Sequence, residues 1–273
     1  MPPGGGSCIL AGMTAAAIVR HPDDYPRVAL VTGGARRIGQ AICRSLAAEG
    51  WALAIHHKGS AAEAQALAEE LQAGGGRAVA LKAALDDEAE VEALVPLAVA
   101  QLGPLGLLVN NAAVYELDRV DDATRAGWDR HMEINLRAPF VLSQAFARAL
   151  PPDAGGLIVN LLDERVWNLT PNYTSYTLSK SGLWTLTRSL ALSLAPRVRV
   201  NGIGPGYALP EQGTSEAEFE RAARRMPLGR ATNPEEICAA LQFLIAAKSV
   251  TGQMVALDGG QHLGWLVPGA LAP

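Results

Sequence analysis

Short apolar segments alternate with longer segments of helical periodicity along most of this 273-residue chain. The first apolar segment is Val28-Ala29-Leu30-Val31, and a helical segment from about Arg37 to Glu49 follows it and is ended by Gly50. Such alternation is typical of a parallel sheet with helices on both faces, because each parallel crossover needs room for a helix. The sequence therefore predicts an α/β fold of the Rossmann type, a doubly wound parallel sheet of about seven strands.

The later elements are expected by the same rule of alternation. Further strands are predicted at 51–55, 78–81, 107–109, 157–161, 198–200 and 254–257. Further helices are predicted at 61–72, from 86 or 87 to 101, and at 124–150, 173–194, 216–225 and 234–247. The segment 216–225 is interpreted as a mobile helical lid.

A single domain is expected from residues 27–273, which carry the pattern without an internal repeat or an interdomain linker. Apolar residues make up 49% of the chain, enough for one sizeable core. Residues 1–26 are rich in Gly and Pro and lack the basic start of a secretory signal, so a flexible leader is expected there. No apolar stretch reaches the ~18 residues that a membrane span needs.

The net charge and the cysteine content limit the kinds of binding partner and the cellular compartment that can be expected. A net charge of −4 and a pI near 5.8 argue against a nucleic-acid partner. The three cysteines, Cys8, Cys43 and Cys238, have no spacing typical of a metal site or a disulfide, which favours a cytoplasmic protein without a metal. Cys43 and Cys238 fall inside helical segments and are expected in the core.

Tyr176 and Lys180 are the strongest candidates for catalysis. They are four residues apart and therefore project from the same face of a helix. A phenol with a pKa of ~10 is a poor proton donor at neutral pH, and an ammonium group beside it lowers that pKa. A solitary pair of this spacing is usually a solvated helix face, but this one follows a Gly-rich strand-turn-helix. The combination predicts a reductase site with Tyr176 as general acid.

The Gly-rich turn is Thr32-Gly33-Gly34-Ala35-Arg36-Arg37-Ile38-Gly39. Gly33 permits a tight turn out of the first strand, and Gly39 permits close packing of the following helix, whose N–H groups then face a pyrophosphate. NAD-dependent enzymes place an acid after the second strand, whereas this chain has His56, Lys58 and Ser60 there. A cation and a hydroxyl suit a 2′-phosphate, which predicts NADPH as the cofactor.

These features, in their order along the chain, resemble the short-chain dehydrogenase/reductase family from about Arg27 to Leu263. The matching elements are the Gly-rich turn, Asn110-Asn111-Ala112, Asn135, Tyr176-x3-Lys180 and Pro205-Gly206. Two departures narrow the resemblance to pteridine reductases: Arg37 replaces the usual middle glycine, and Asp163 stands where an active-site serine is usual. The segment His56-His57-Lys58-Gly59-Ser60 supports the same subgroup.

The resemblance implies a cofactor site and a homotetramer with the helices at 124–150 and 173–194 between subunits. The implied cofactor-binding residues are Gly33, Arg37, Ile38, Gly39, His56, Lys58, Ser60, Leu85, Asn111, Ala112, Tyr176, Lys180, Pro205 and Gly206. Asn111 and Ala112 would lie along the nicotinamide ribose, and Pro205-Gly206 would cover the nicotinamide ring. Leu85 would cover the adenine, although Ala84 replaces the usual preceding Asp.

The resemblance also implies the catalytic set Asp163, Tyr176, Lys180 and Asn135, in which Asn135 holds a water that relays protons to Lys180. Asp163 separates the substrate classes. A serine would donate to a carbonyl oxygen, whereas an ionised carboxylate only accepts and suits a substrate with N–H donors. If buried and protonated, Asp163 would instead deliver a proton to a C=N nitrogen. The alternative is a surface acid whose neighbour does this work.

The predicted substrate is therefore a pterin or a related heteroaromatic small molecule. Its site is expected to comprise Arg37, Tyr115, Asp163, Tyr176 and Tyr207, with Tyr115 stacking on the ring. Trp167 is a further candidate for the same slot.

Two other functions remain open from the sequence. One is a general carbonyl or 3-oxoacyl-type reductase of the same family. The other is a non-catalytic NADP-binding sensor or scaffold, which would not need Tyr176, Lys180 and Asn135, although all three are present.

Overall fold

The computed structural model describes residues 25–210 and 213–264, and the expected leader falls outside it except for its last two residues. Those two residues contact the domain. The Nζ atom of Lys248 lies 3.7 Å from the centre of the Tyr25 ring. The carbonyl oxygen of Pro26 accepts a hydrogen bond of 2.8 Å from the N–H of Val28.

Seven parallel strands form one sheet in the order β3-β2-β1-β4-β5-β6-β7. The strands are β1 Val28–Val31, β2 Ala52–His57, β3 Ala78–Lys82, β4 Leu107–Asn110, β5 Gly156–Leu161, β6 Val198–Pro205 and β7 Met254–Leu257. The order reverses between β1 and β4, which opens a crevice at the carboxyl ends of these strands. The predicted Rossmann-type doubly wound sheet is confirmed.

Helices cover both faces of the sheet. They are α1 Arg37–Ala48, α2 Ala61–Ala73, α3 Glu88–Leu102, α4 Arg125–Met132, α5 Ala138–Ala149, α6 Thr174–Ser193, α7 Glu216–Ala223 and α8 Pro234–Ala246. Across residues 25–210 and 213–264, none of these helices is long and apolar enough to cross a bilayer.

The sheet is buried on both faces, which explains its continuous apolar strands. Successive strand residues point to opposite faces, so Leu30 and Leu108 belong to one core and Val31 and Val109 to the other. Cys43 is fully buried in the second core, as expected.

The prediction of one continuous helix over 124–150 is wrong, because a π-helical turn, Glu133–Arg137, separates α4 from α5. Pro139 has no N–H to donate to the carbonyl of Asn135, which removes one α-helical hydrogen bond at this point. In the same turn, the buried side-chain amide of Asn135 pairs with the backbone of Val114: its Oδ1 accepts from the N–H at 2.8 Å and its Nδ2 donates to the carbonyl at 2.9 Å. The irregular turn therefore fixes the loop that follows β4.

Arg199, at the second position of β6, holds the C-terminal end of α8. The residue is 3% exposed, and its guanidinium donates to the carbonyl oxygens of Leu244, Ala247 and Val250 at 2.7, 3.1 and 2.9 Å. The last carbonyls of a helix have no partner within the helix and carry its negative dipole end, so a cation suits them.

We expect Arg199→Met to lower the free energy of unfolding by about 3 kcal/mol, since it strands several buried carbonyl groups at once. Urea denaturation measures this change. Arg44→Met is the matched control: Arg44 pairs with Glu70 at 2.7 Å on the surface, and its loss should cost less than ~1 kcal/mol. Equal losses in the two variants would contradict the role of Arg199.

Candidate active site

Two adjoining cavities open at the carboxyl edge of the sheet, as expected for ligand sites of this fold. A groove of about 530 Å³ follows the turn after β1 and the ends of β2 and β4. A pocket of about 420 Å³ lies beside it, below α7 and the loops after β5 and β6. The two share a wall formed by Arg37, Ile38, Asn111, Ala113 and Tyr115.

A clamp between the ends of β1 and β4 shapes the groove. The Oγ1 atom of Thr32 accepts hydrogen bonds from the N–H groups of Asn111 and Ala112 at 2.9 and 3.0 Å. In return, the side-chain amide of Asn111 donates to the carbonyl of Thr32 at 2.8 Å. Gly39 packs against this clamp so closely that a Cβ atom there would lie 2.2 Å from the carbonyl oxygen of Gly33. These contacts leave room for backbone alone.

The N-terminus of α1 faces the groove. Arg36 precedes the helix and makes no side-chain capping bond, so the first N–H groups are available to an anion. Arg37 has a φ of 53°, which is uncommon for a residue other than glycine. Its guanidinium donates to the carbonyl of Pro210 at 3.0 Å and lines both cavities. The side chain thereby links the Gly-rich turn to the segment after β6.

His56 supports the Gly-rich turn from within the protein. Its Nδ1 accepts from the N–H of Gly33 at 3.0 Å, so Nε2 carries the proton and donates to the carbonyl of Ala83 at 3.0 Å. Burial lowers the pKa of His56 to about 4, which keeps the ring neutral. Although His56 lines the groove, both of its ring nitrogens are engaged, and a polar contact with a phosphate is not available to them.

Lys58, Ser60 and Leu85 line the far end of the groove. Lys58 Nζ lies 2.8 Å from Oδ1 of Asp86 in an ion pair that is largely exposed. Exposed pairs of this kind are worth little, so a phosphate can compete for the ammonium group. Among the described residues that line the groove there is no Asp or Glu.

Tyr176 and Lys180 lie on one face of α6, as predicted, and both are buried. The Tyr176 hydroxyl donates to Oδ2 of Asp163 at 2.8 Å. Lys180 Nζ donates to the carbonyl of Leu161 at 2.6 Å and lies 5.8 Å from the centre of the Tyr176 ring. Asp163, whose side chain is only 13% exposed, is therefore part of the site rather than a surface acid.

The predicted lowering of the pKa of Tyr176 is wrong for this structure. Burial and the adjacent Asp163 carboxylate raise the pKa of Tyr176 well above its usual value, against a smaller opposing effect of Arg165. Burial also lowers the pKa of Lys180 to about 8, and Asp163 partly opposes that change. The phenol consequently stays protonated at neutral pH, which is the form that a proton donor requires.

Asn135 contacts Ser179 on α6 as well as the loop after β4. Its Nδ2 donates to the Ser179 hydroxyl at 3.1 Å, in addition to its bonds with Val114. Both N–H donors and the oxygen of the Asn135 side chain are thus engaged. A water bound at Asn135 would therefore have to use the backbone carbonyl of this residue, to which Pro139 cannot donate.

The aromatic wall differs from the expected stacking slot. Tyr115 stacks on Tyr173 with ring centres 4.4 Å apart and meets the Tyr176 ring edge-on at 4.7 Å. One face of Tyr115 is thus covered by the protein itself. Tyr207 lines the pocket, as does Phe219 of α7, the predicted lid helix, whereas Trp167 is half-exposed and packs against Trp184.

Sequence reasoning missed Glu164 and Arg165, which follow Asp163 directly and also line the pocket. Glu164 is 1% exposed, and its Oε1 accepts from Nε2 of Gln261 at 2.8 Å. Burial and the neighbouring Asp163 raise the pKa of Glu164 to about 7. The available signal was the run of three charged residues directly after an apolar strand, where a surface loop is the usual interpretation.

An oxidoreductase with a nucleotide-binding fold is the class that this geometry defines, and comparison with known proteins agrees. Residues 33–262 match the family model described as enoyl-(acyl carrier protein) reductase. An uncharacterized oxidoreductase of Methylorubrum extorquens is 34% identical over 86% of this chain and 97% of its own length. The 3-oxoacyl-[acyl-carrier-protein] reductase FabG of Staphylococcus aureus is 32% identical over 86% of this chain and 98% of its own.

Solved structures give a similar result. The FolM alternative dihydrofolate reductase 1 of Brucella canis, complexed with NADP, is 46% identical with a TM-score of 0.85, and the match covers 90% of this chain and 97% of that one. A blue fluorescent protein from a metagenomic library, complexed with NADPH, is 36% identical with a TM-score of 0.79 over 85% and 96% of the two chains. The chain belongs to the short-chain dehydrogenase/reductase family, as its sequence predicted.

The raised pKa of Glu164 predicts a stability that depends on pH. Between the ordinary pKa of a glutamate and about 7, the folded state binds a proton that the unfolded state has lost, so the contribution of Glu164 to stability declines as pH rises through this window. The variant Glu164→Gln cannot ionise at this position. We therefore expect its free energy of unfolding, measured relative to that of the unmodified protein, to be higher at pH 8 than at pH 5. Urea denaturation at both pH values measures the gain.

The control for this experiment is Glu69→Gln, because Glu69 is exposed and its side chain accepts a hydrogen bond from Gln65 on the same helix. Its stability relative to the unmodified protein should be the same at both pH values. A Glu164→Gln variant that behaves in the same way would show that Glu164 does not ionise within this window.

Proposed function

We propose that this protein is an NADPH-dependent reductase of a pterin or a related heteroaromatic C=N bond. The observation that carries the proposal is the hydrogen bond of 2.8 Å between the Tyr176 hydroxyl and Asp163 in the pocket beside the groove. A carboxylate beside the proton donor favours a substrate that offers N–H groups over one that offers only a carbonyl oxygen.

The groove fits NADPH on its own features. The backbone-only cradle around Gly33 and Gly39 and the uncapped N-terminus of α1 suit a pyrophosphate. Lys58 and Ser60, with no carboxylate among the described lining residues, suit a 2′-phosphate. The other residues proposed to hold the cofactor are Arg37, Ile38, Leu85, Asn111, Ala112, Tyr176, Lys180, Pro205 and Gly206, with His56 bracing the turn. Both solved relatives described above contain this type of cofactor.

Tyr176 is proposed to donate the proton. When bound, the cofactor supplies a hydride, and the protonated phenol then delivers its proton to the ring nitrogen of the substrate. Lys180, with a pKa of about 8, retains most of its charge at neutral pH. It is proposed to contact the bound cofactor. The backbone carbonyl of Asn135 is proposed to hold the water that returns a proton to this pair.

The substrate is proposed to lie between the loop after β5 and the loop after β6. Asp163 would accept from its N–H groups, and Tyr115, Tyr207 and Phe219 would border its ring. Arg37 reaches the same pocket and offers a donor to ring oxygens. The 46% identity with the FolM alternative dihydrofolate reductase 1 supports this substrate class.

A 3-oxoacyl-type reductase is the second candidate. The matching family model and the FabG relatives favour it. Asp163 disfavours a 3-oxoacyl-type reductase, because a carboxylate beside the phenol repels the alkoxide that develops during ketone reduction.

We further propose that the protein acts in the cytoplasm as a homotetramer. Exposed apolar side chains on the two helices that pair in such assemblies support this proposal: Trp128 on α4, and Leu178 and Leu192 on α6. Burying them between subunits would remove apolar surface from water.

The first test follows the absorbance of NADPH with dihydrobiopterin, dihydrofolate and an acetoacetyl thioester as substrates. We expect a pterin to be reduced fastest, and NADPH to be preferred over NADH by roughly tenfold or more, which corresponds to about 1.4 kcal/mol. Tyr176→Phe should abolish the reaction and serves as the blank. Turnover of the thioester alone would reject the substrate class while leaving the reductase chemistry in place.

Asp163→Ser is the second test, because it restores the hydroxyl that is usual in the family. We expect lower activity with a pterin and higher activity with the thioester. Asp163 raises the pKa of both Tyr176 and Lys180, so its removal should also shift the alkaline limb of the profile of kcat/KM against pH to lower pH. An unchanged ratio between the two substrates would refute the role of Asp163.

A further inference from the structure

The two carboxylate oxygens of Asp163 have separate partners. Oδ2 accepts from the Tyr176 hydroxyl, as described above. Oδ1 accepts from the backbone N–H of Arg165 at 2.9 Å and lies 3.4 Å from the Nη1 atom of the same residue. One oxygen thus faces the proton donor, while the other is held by a single neighbouring residue.

Arg165 is unusually buried for an arginine, because its side chain is only 16% exposed. Its guanidinium carbon lies 5.5 Å from the ring centre of Tyr115 and 5.1 Å from that of Tyr173, beside the stacked pair. Its Nε atom is buried and has no hydrogen-bond partner among the described residues.

The charges around Arg165 explain why it is held there. Burial opposes its charge, but Asp163, Tyr115 and Glu164 more than offset this effect and raise its pKa. Among the described residues that line the pocket, the other cations are engaged elsewhere: Arg37 with the carbonyl of Pro210 and Lys180 with that of Leu161. Arg165 is therefore the cation that lies within ion-pair distance of Asp163.

We infer that Arg165 is a positioning residue of this active site, which orients the Asp163 carboxylate toward Tyr176 and offsets its negative charge. Hydride addition places negative charge on the substrate atom that Tyr176 protonates, and an uncompensated carboxylate next to that atom raises the barrier. A guanidinium on the far oxygen reduces this repulsion through Asp163. Arg165 should consequently matter only while Asp163 is present.

A double-mutant cycle tests this dependence, with kcat and KM measured separately on the substrate that the unmodified enzyme reduces. We expect Arg165→Met to lower kcat/KM by roughly 10- to 100-fold, mostly through kcat, and by less than about threefold in the Asp163→Ser background. Arg165→Lys, which keeps the charge, should recover most of the loss. Arg188→Met is the control, because Arg188 stacks on Trp184 at 5.7 Å and does not line the pocket.

Equal losses in both backgrounds, or no rescue by Arg165→Lys, would overturn the inference. The activity measurement rests on the proposed function, so urea denaturation provides a separate readout. It is applied to the four proteins of the cycle: the unmodified protein, Arg165→Met, Asp163→Ser and the double variant. We expect Arg165→Met to lower the urea midpoint clearly in the parent and by less than about half as much in the Asp163→Ser background. Absence of turnover with every substrate rejects the proposed function alone; absence of coupling in urea rejects the pairing of Arg165 with Asp163.

Discussion

The clamp between Thr32 and Asn111 is the interaction on which the geometry of the site depends. It joins the ends of β1 and β4 at the point where the strand order reverses. The Gly-rich turn and the start of α1 pack so closely beside it that no side chain fits at Gly39. His56 supports the same turn from β2. Because buried polar groups are costly when unpaired, each of these bonds also fixes the strand from which it comes.

The electrostatics of the site depend on Asp163. Together with burial, its carboxylate raises the pKa of the Tyr176 phenol, whereas the sequence predicted a lowered pKa. The carboxylate in turn requires a cation, and Arg165 lies next to it in sequence and in space. The acid that stands where a serine is usual in the family thus lies beside a second charged residue, and the substrate class proposed above rests on this acid.

The elements that the sequence predicted well are those controlled by local rules. Apolar runs marked the strands, Gly50 and Gly74 ended helices, and the spacing of Tyr176 and Lys180 placed both on one helical face. The helix over 124–150 was predicted poorly, because the local signal of Pro139 was overlooked and because the pairing of Asn135 with a loop that is distant in sequence leaves no local pattern. Charged residues in a loop likewise give no periodic signal, so Glu164 and Arg165 were missed.

The sequence by itself determined the doubly wound sheet, the family and the group of residues that gather at the carboxyl edge, since these follow from hydrophobic periodicity and motif order. Only the tertiary structure decided which partners each of those residues has. The side-chain amide of Asn135 forms hydrogen bonds with Val114 and Ser179. One face of the Tyr115 ring is covered by Tyr173, and the Tyr176 hydroxyl donates to Asp163. The physical reason is that hydrogen-bond partners and pKa values depend on burial and on neighbours brought together from distant parts of the chain.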